Sequence, residues 1–302
     1  MIMKRYWTAI MVTLLCVSLA ACSDKVLTEP SVSSGTGSSS QAVSSGTVGS
    51  SAARSSSSGT AGASRQSSSS QAQRQQVTVL IPEGYCVPQI GDALQDNGVC
   101  SKADFLAAVN AYPFTEVSLS KIPYNPAKVC YRLEGYLYPD TYQFYKNMKA
   151  QDAIGKMLQN ADSHIANKYS FQTVILASII QREVPDVAGM RNVSAVFHNR
   201  LKDTKAFPYL GSDATVIYLT RYIQGVSPAL MNKYKYFYNT NNRIHGLPVG
   251  PICSPGAQAL YAAANPAGAN YLYFWSDSTG KYYYSLTAQG TTSSAGTVSS
   301  KP

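Results

Sequence analysis

The chain has 302 residues, 45% of them hydrophobic and 14% charged, and a formal net charge of +9. No Lys/Arg run interleaved with aromatic residues accompanies that charge, which speaks against nucleic-acid binding and for another anionic partner. Cys-x-x-Cys is absent and the three histidines (His164, His198, His245) are scattered, so neither a metal site nor a cofactor is expected.

Lys4 and Arg5 precede an apolar run from Trp7 to Ala21 that ends in Leu19-Ala20-Ala21-Cys22. The run falls short of a membrane span of roughly 20 residues, and small residues before Cys22 suit a peptidase. Residues 1–21 therefore read as a signal peptide with a lipobox. Cys22 reads as the lipidated start of an exported lipoprotein, anchored on the extracytoplasmic face of the cell membrane. Loss of Lys4 and Arg5 removes no acid and takes +9 to +7. Outside a bacterial cell the anionic candidates are wall polymers, wall peptides and the membrane surface.

Residues 22–76 are Ser, Gly, Ala, Thr and Gln with almost no large apolar side chain, too little to offset the entropy of ordering. A flexible tract of that length has a root-mean-square span of about 40 Å, at roughly 5 to 6 Å times the square root of the residue number. It reads as a tether. From Val77 onward large apolar residues become frequent enough for a core.

Val77–Ile81 alternates as a strand, Val87–Gln95 repeats apolar residues at helical spacing, and Ser101-Lys102-Ala103-Asp104 opens a helix with a capping signature. Leu133–Tyr145 is aromatic and strand-like, with Pro139-Asp140 as a turn. Three helices follow, Gln151–Lys168, Phe171–Val184 and Asp186–Leu201. A Gly/Pro-punctuated loop, Tyr238–Pro255, precedes a helix near Ala257–Ala264 and short strands at Tyr271–Trp275 and Tyr282–Ser285. The fold class is α+β, and so long a late loop is often functional. Of the cysteines left after Cys16 and Cys22, four remain, and Cys86 with Cys100 is the preferred disulfide because the two flank one short helix.

Glu183 is the most informative acid. Helical spacing aligns it with Ile175 and Ile179, so it continues an apolar stripe. Pro185 disfavours helical geometry at Val184, which puts Glu183 in the last turn, where the helix dipole and desolvation both penalise a carboxylate. Its pKa should rise, as a general acid that later returns as base requires. The competing reading is a structural glutamate paired with Arg191.

Leu133-Glu134-Gly135-Tyr136-Leu137-Tyr138-Pro139-Asp140-Thr141-Tyr142, Ala177-Ser178-Ile179-Ile180-Gln181-Arg182-Glu183 and Val196-Phe197-His198-Asn199-Arg200-Leu201 resemble the endolytic murein transglycosylase (YceG-like) family. Ser212-Asp213-Ala214-Thr215-Val216-Ile217-Tyr218, Tyr238-Asn239-Thr240 and Gly246-Leu247-Pro248-Val249-Gly250-Pro251-Ile252 follow in the family's order, and the resemblance covers about Val77 to Leu286. It implies Glu183 as the catalytic residue, a LysM-like subdomain in residues 77–125 and a catalytic domain in 126–290, with 291–302 a disordered tail. Gln181 stands where many members carry another Glu, and Ala214 where a Pro is usual. Many relatives use a transmembrane helix as anchor, for which this sequence reads as substituting a lipid and a long disordered leash.

The implied substrate is the glycan strand of peptidoglycan, cut without water to leave 1,6-anhydro ends and terminate strand growth, with peptidoglycan synthases as candidate partners. Glu134, Ser212, Asp213, Thr215, Tyr238, Asn239 and Thr240 carry groups suited to a sugar cleft. Turn, capping or core duty is the alternative for each. Two rival functions stand beside this one. The first is a wall-binding lipoprotein without catalysis; the second is a serine acyl enzyme suggested by Ser118-Leu119-Ser120-Lys121, which lacks accompanying Ser-Asp-Asn and Lys-Thr-Gly motifs.

Overall fold

The computed structural model describes residues 75–113 and 122–288. The signal peptide, Cys22, nearly all of the tether, Ser118–Lys121 and the 291–302 tail lie outside them. Among the described residues no helix is long and apolar enough to cross a membrane.

The first strand, β1 (Gln76–Ile81), turns Val79 and Ile81 inward and leaves Leu80 at the surface, as period-two alternation requires. Helix α1 (Val87–Asp96) starts with Pro88 in its first turn, and α2 (Lys102–Ala111) is capped by Ser101, whose hydroxyl accepts from the Asp104 amide at 3.1 Å. The partner of β1 is β2 (Asp140–Tyr145), antiparallel, with Val79 opposite Tyr142 and Val77 opposite Phe144. The first unit is therefore a βααβ arrangement whose closing strand lies beyond the expected boundary at residue 125. The described residues fall in one compact unit.

Two expectations fail here. Leu133–Tyr145 is strand only from Asp140, because residues 132–136 coil through successive turns, with Glu134 N donating to Tyr131 O and Tyr136 N to Leu133 O. Gly135 makes this possible. It sits at φ +85°, and a Cβ there would come within 2.5 Å of the Pro251 ring. The apolar and aromatic content that resembled a strand reflects burial, since Leu133, Tyr136 and Leu137 are all in the core.

The Cys86–Cys100 bridge is not formed either. Cys86 sits before α1 and Cys100 beyond its far end, where Val99 N donates to Leu94 O. Ten helical residues advance about 15 Å, against a Cα separation of at most about 7 Å for a disulfide. Cys86, Cys100, Cys130 and Cys253 are all free thiols.

The core centres on α4 (Phe171–Glu183), capped by Ser170 and buried continuously from Val174 to Ile180. A helix apolar on all sides belongs in the middle of a fold. It packs between α5 (Val187–Lys202), capped by Asp186, and α9 (Ala257–Ala264), whose alanines permit close approach. Helix α3 (Ala150–His164) ends short of the expected Lys168, before Asn167 takes a positive φ. Between α5 and α9, where the sequence suggested no helix, lie α6 (Asp213–Ile217), a π-helical segment (Tyr218–Ile223), α7 (Gln224–Val226) and α8 (Pro228–Tyr238). A hairpin of β3 (Tyr273–Ser276) and β4 (Tyr282–Ser285) follows α9.

Candidate active site

Glu183 is the last residue of α4, and Val184 beyond it is extended at φ −149°, as a residue before proline prefers. Ile175 and Ile179 on the same stripe are buried, whereas Glu183 keeps accessible surface. The residue is partly exposed, yet the atoms packed around its carboxyl leave little water to solvate a charge. That desolvation pushes its pKa to about 7, and the neighbouring Asp213 carboxylate adds to the rise. Three groups oppose it: the Ser212 hydroxyl, Arg200 and the Ala214 backbone N–H. Ser212 Oγ donates to Glu183 Oε1 at 2.5 Å. Tyr282 of β4 donates its hydroxyl to the Glu183 carbonyl at 2.7 Å, filling one of the unpaired acceptors at a helix end.

Ser212 precedes α6, where a serine ordinarily bonds its own helix's amides. Here it makes no such cap, because its hydroxyl is turned to Glu183. Its position is fixed from behind by Thr215 and Thr240. Thr215 Oγ1 donates to Ser212 O at 2.8 Å, Ser212 N donates to Thr240 Oγ1 at 3.2 Å, and the two threonine hydroxyls lie 2.9 Å apart. Ser212, Thr215 and Thr240 are at most 1% exposed. The three come together as a buried hydroxyl network that aims Ser212, not as the sugar contacts expected of them.

Tyr238, fully buried and packed on Tyr218 at 5.2 Å between rings, is likewise core. Glu134 is 1% exposed and lies outside any cleft. The turns at residues 132–136 carry it inward, where it accepts from Val87 N at 3.1 Å and from the Tyr218 hydroxyl at 3.0 Å, away from the Pro139 turn. Asp213 and Asn239 retain accessible surface. Both are tied to Asn241: its side-chain amide donates to Asp213 at 2.6 Å and its backbone N–H to Asn239 at 2.9 Å.

The neighbours of Glu183 on α4 serve the scaffold. Gln181 accepts from Gly256 N at 2.9 Å, and Ser178 accepts from Ile252 N at 3.0 Å, so the late loop is clamped onto the helix that carries the acid. Arg182 donates to Gly84 O and to the Tyr222 hydroxyl. Arg191 bonds Asn265 O, which removes the expected alternative partner for Glu183. Among the described residues no three His, Cys, Asp or Glu side chains converge as metal ligands.

Sequence reasoning missed Arg200 and Tyr282. Arg200 donates to Leu272 O at 2.7 Å and Leu210 O at 2.8 Å while its charge acts on Glu183. Nothing in helical spacing separates it from a cation compensating the dipole of α5. Tyr282 had a faint signal, as one of the alternating positions of a short strand whose inner face must meet the core.

A descriptor of the YceG-like family matches residues 54–294. The chain belongs to the YceG-like family. It is 29% identical to an endolytic murein transglycosylase of Bacillus subtilis over 234 residues, which cover 69% of this chain and 61% of that protein. Against an endolytic murein transglycosylase of Streptococcus pneumoniae serotype 2 it is 28% identical over 235 residues, covering 68% and 42%. It thus spans less than two thirds of these relatives. A crystal structure of a protein described as YceG-like, from Listeria monocytogenes, superposes with a TM-score of 0.59 at 30% identity, covering 71% of this chain and 75% of that one.

Proposed function

We propose that this YceG-like chain is an endolytic lytic transglycosylase of peptidoglycan, and that Glu183 is its acid and base. The observation that carries the reading is a partly exposed glutamate whose carboxyl is held near pKa 7 by desolvation and oriented by Ser212. The names of its relatives support the substrate class.

Ordinary glycosidases flank the scissile bond with two carboxylates. One suffices when the substrate supplies the nucleophile. Glu183 protonates the glycosidic oxygen of N-acetylglucosamine as the bond to the N-acetylmuramic acid anomeric carbon breaks. The 6-hydroxyl oxygen of the same muramic acid unit then bonds that carbon, and its proton passes to the Glu183 carboxylate. No water is consumed, the product ends in a 1,6-anhydro ring, and the acid is regenerated. Cleavage within nascent strands ends their elongation.

The βααβ unit is assigned to glycan contact as a LysM-like element. A groove of about 570 Å³ beside it, with Ser101, Asp104, Asn147 and Lys149 along its walls, shares no residue with the Glu183 site. Lipidated Cys22 and its tether hold the domain at the extracytoplasmic membrane surface, where strands emerge and synthases are potential partners. Cleavage of isolated glycan strands in ¹⁸O-water tests the chemistry. Product ends should be lighter by one water than hydrolysis products and carry no label, whereas ¹⁸O-labelled reducing ends would replace transglycosylation by hydrolysis.

Ser212→Ala should move the pH profile. The hydroxyl stabilises the ionised carboxyl, and a hydrogen bond to a charged group contributes about 1.5 kcal/mol or more, so its loss raises the pKa of the acid by roughly one. The alkaline limb of kcat/KM should shift upward by about one pH unit while kcat falls. An unmoved limb would show that Ser212 does not act on Glu183.

A further inference from the structure

The β3–β4 hairpin has two dissimilar faces. Phe274, Tyr282 and Tyr284 point inward: Phe274 meets Phe197 edge-on at 5.8 Å, and the Tyr282 hydroxyl reaches Glu183 O. Alternation along the strands sends Tyr273, Trp275 and Tyr283 to the opposite face. Trp275 and Tyr283 are cross-strand partners stacked at 5.4 Å with their planes 18° apart. The Tyr283 hydroxyl donates to Asp277 at 2.8 Å, and Lys281 Nζ lies 5.2 Å from its ring centre. Tyr273, Trp275 and Tyr283 are each partly exposed, with the Tyr273 ring also meeting Phe207 at 5.8 Å.

This aromatic face lies on the hairpin that touches the candidate active site through Tyr282. The Arg200 guanidinium lies 5.5 Å from the Tyr273 ring centre and donates to Leu272 O, the residue before β3, while its charge acts on Glu183. One hairpin is thus fixed to Glu183 by Tyr282 on one face and packed on the Arg200 guanidinium through Tyr273 on the other. Flat apolar rings beside hydrogen-bonding and cationic groups match the two sides of a pyranose, whose C–H face stacks on an aromatic plane while its hydroxyls stay wet. Lys281 at the far end suits the carboxylates of the stem peptides that the strand's lactyl groups carry.

We propose that Tyr273, Trp275 and Tyr283 form a sugar-binding platform that carries the glycan strand outward from Glu183. This rests on the transglycosylase reading for the identity of the strand, and on the hairpin geometry for the surface.

Trp7 and Trp275 are the only tryptophans in the chain, so Trp7→Phe in the full-length protein leaves Trp275 as the sole tryptophan emitter. Adding Glu183→Gln prevents turnover during titration. Soluble uncrosslinked glycan strands should then change Trp275 emission saturably. In the otherwise wild-type enzyme, Trp275→Ala should raise KM about tenfold, the fold-change expected of one stacking contact, with kcat within twofold, and Trp275→Tyr should restore KM. Strand cleavage with unchanged emission and an unchanged KM in Trp275→Ala overturns the platform and leaves the enzyme standing. Saturable emission without any cleavage by wild type overturns the transglycosylase reading and supports the platform. If Trp275→Tyr matches Trp275→Ala in KM, stacking is not what the position supplies and the proposal fails.

Discussion

Glu183→Gln is expected to lower glycan cleavage by at least about three orders of magnitude, at the upper part of the range for loss of a positioned general acid. No second carboxylate is available in the proposed mechanism to share the work. The amide cannot deliver a proton to the leaving oxygen or take one from the 6-hydroxyl. The fold should survive. Ser212 donates to Glu183 Oε1 in the wild type, and its hydroxyl can also accept, so it can meet either end of the amide. The folded pKa near 7 lies above the ordinary glutamate value, so the wild-type side chain contributes stability below about pH 4.5 that is lost as pH rises through about 7. The amide escapes that loss, and the variant's Tm at pH 8 should equal or exceed the wild type's. Mass analysis of anhydro ends and a thermal melt read the two effects. Turnover within tenfold of wild type would sink the assignment. A collapsed Tm would mean that the carboxyl holds the structure instead of cutting the substrate.

Much of this site's frame was legible because it depends on neighbours in the chain. Ser101, Ser170 and Asp186 mark helix starts through hydroxyl or carboxylate caps, and the structure shows each one accepting from an amide three residues on. Glu183 could be singled out by a buried stripe and a proline two residues later. What stayed hidden depends on distant partners. Thr240 and Ser212 have the same polarity whether they face a sugar or each other, and only the fold decides. Buried aromatics near Glu134 imitated a strand because apolar content reports burial before it reports dihedral angles. Helix α6 spans five residues and runs through a π-helical segment and the three-residue α7 before α8, so the period of the helical pattern changes along the stretch and no single 3.6 stripe marks it. Ser227-Pro228 did carry a start signal, a serine followed by proline in the first turn.

Glu134→Gln should remove much of the pH dependence of folding stability between pH 5 and 8.5. Glu134 is almost completely buried, and desolvation pushes its pKa to about 8 against the hydrogen bonds from Tyr218, Val87 N–H and Gly135 N–H, and the charge of Arg182. A folded value above the unfolded one means that the protonated form is favoured in the fold. The contribution to stability is full below about pH 4.5 and is lost as pH rises through about 8, by a few kcal/mol. In the variant, the amide oxygen can accept from Val87 N–H while its NH₂ group donates to the Tyr218 oxygen, so both contacts survive without a charge. Denaturant unfolding at pH 5 and 8.5 should show the wild type losing stability and Glu134→Gln losing far less, with the Glu183 contribution common to both. Parallel losses would refute a titrating Glu134. The thiols and tyrosines around it have ordinary values at or above 9 and are raised further, so they stay protonated across this window. Ionised Glu134 keeps its bond from Tyr218 but is a desolvated charge that destabilises the core beside it, and Tyr218 lies on the chain directly after α6, the helix whose start presents Ser212 and Ala214 to Glu183. Loosening at the buried acid should therefore reach the partly exposed one, so that alkaline pH removes activity twice, by deprotonating Glu183 and by weakening the frame that aims it.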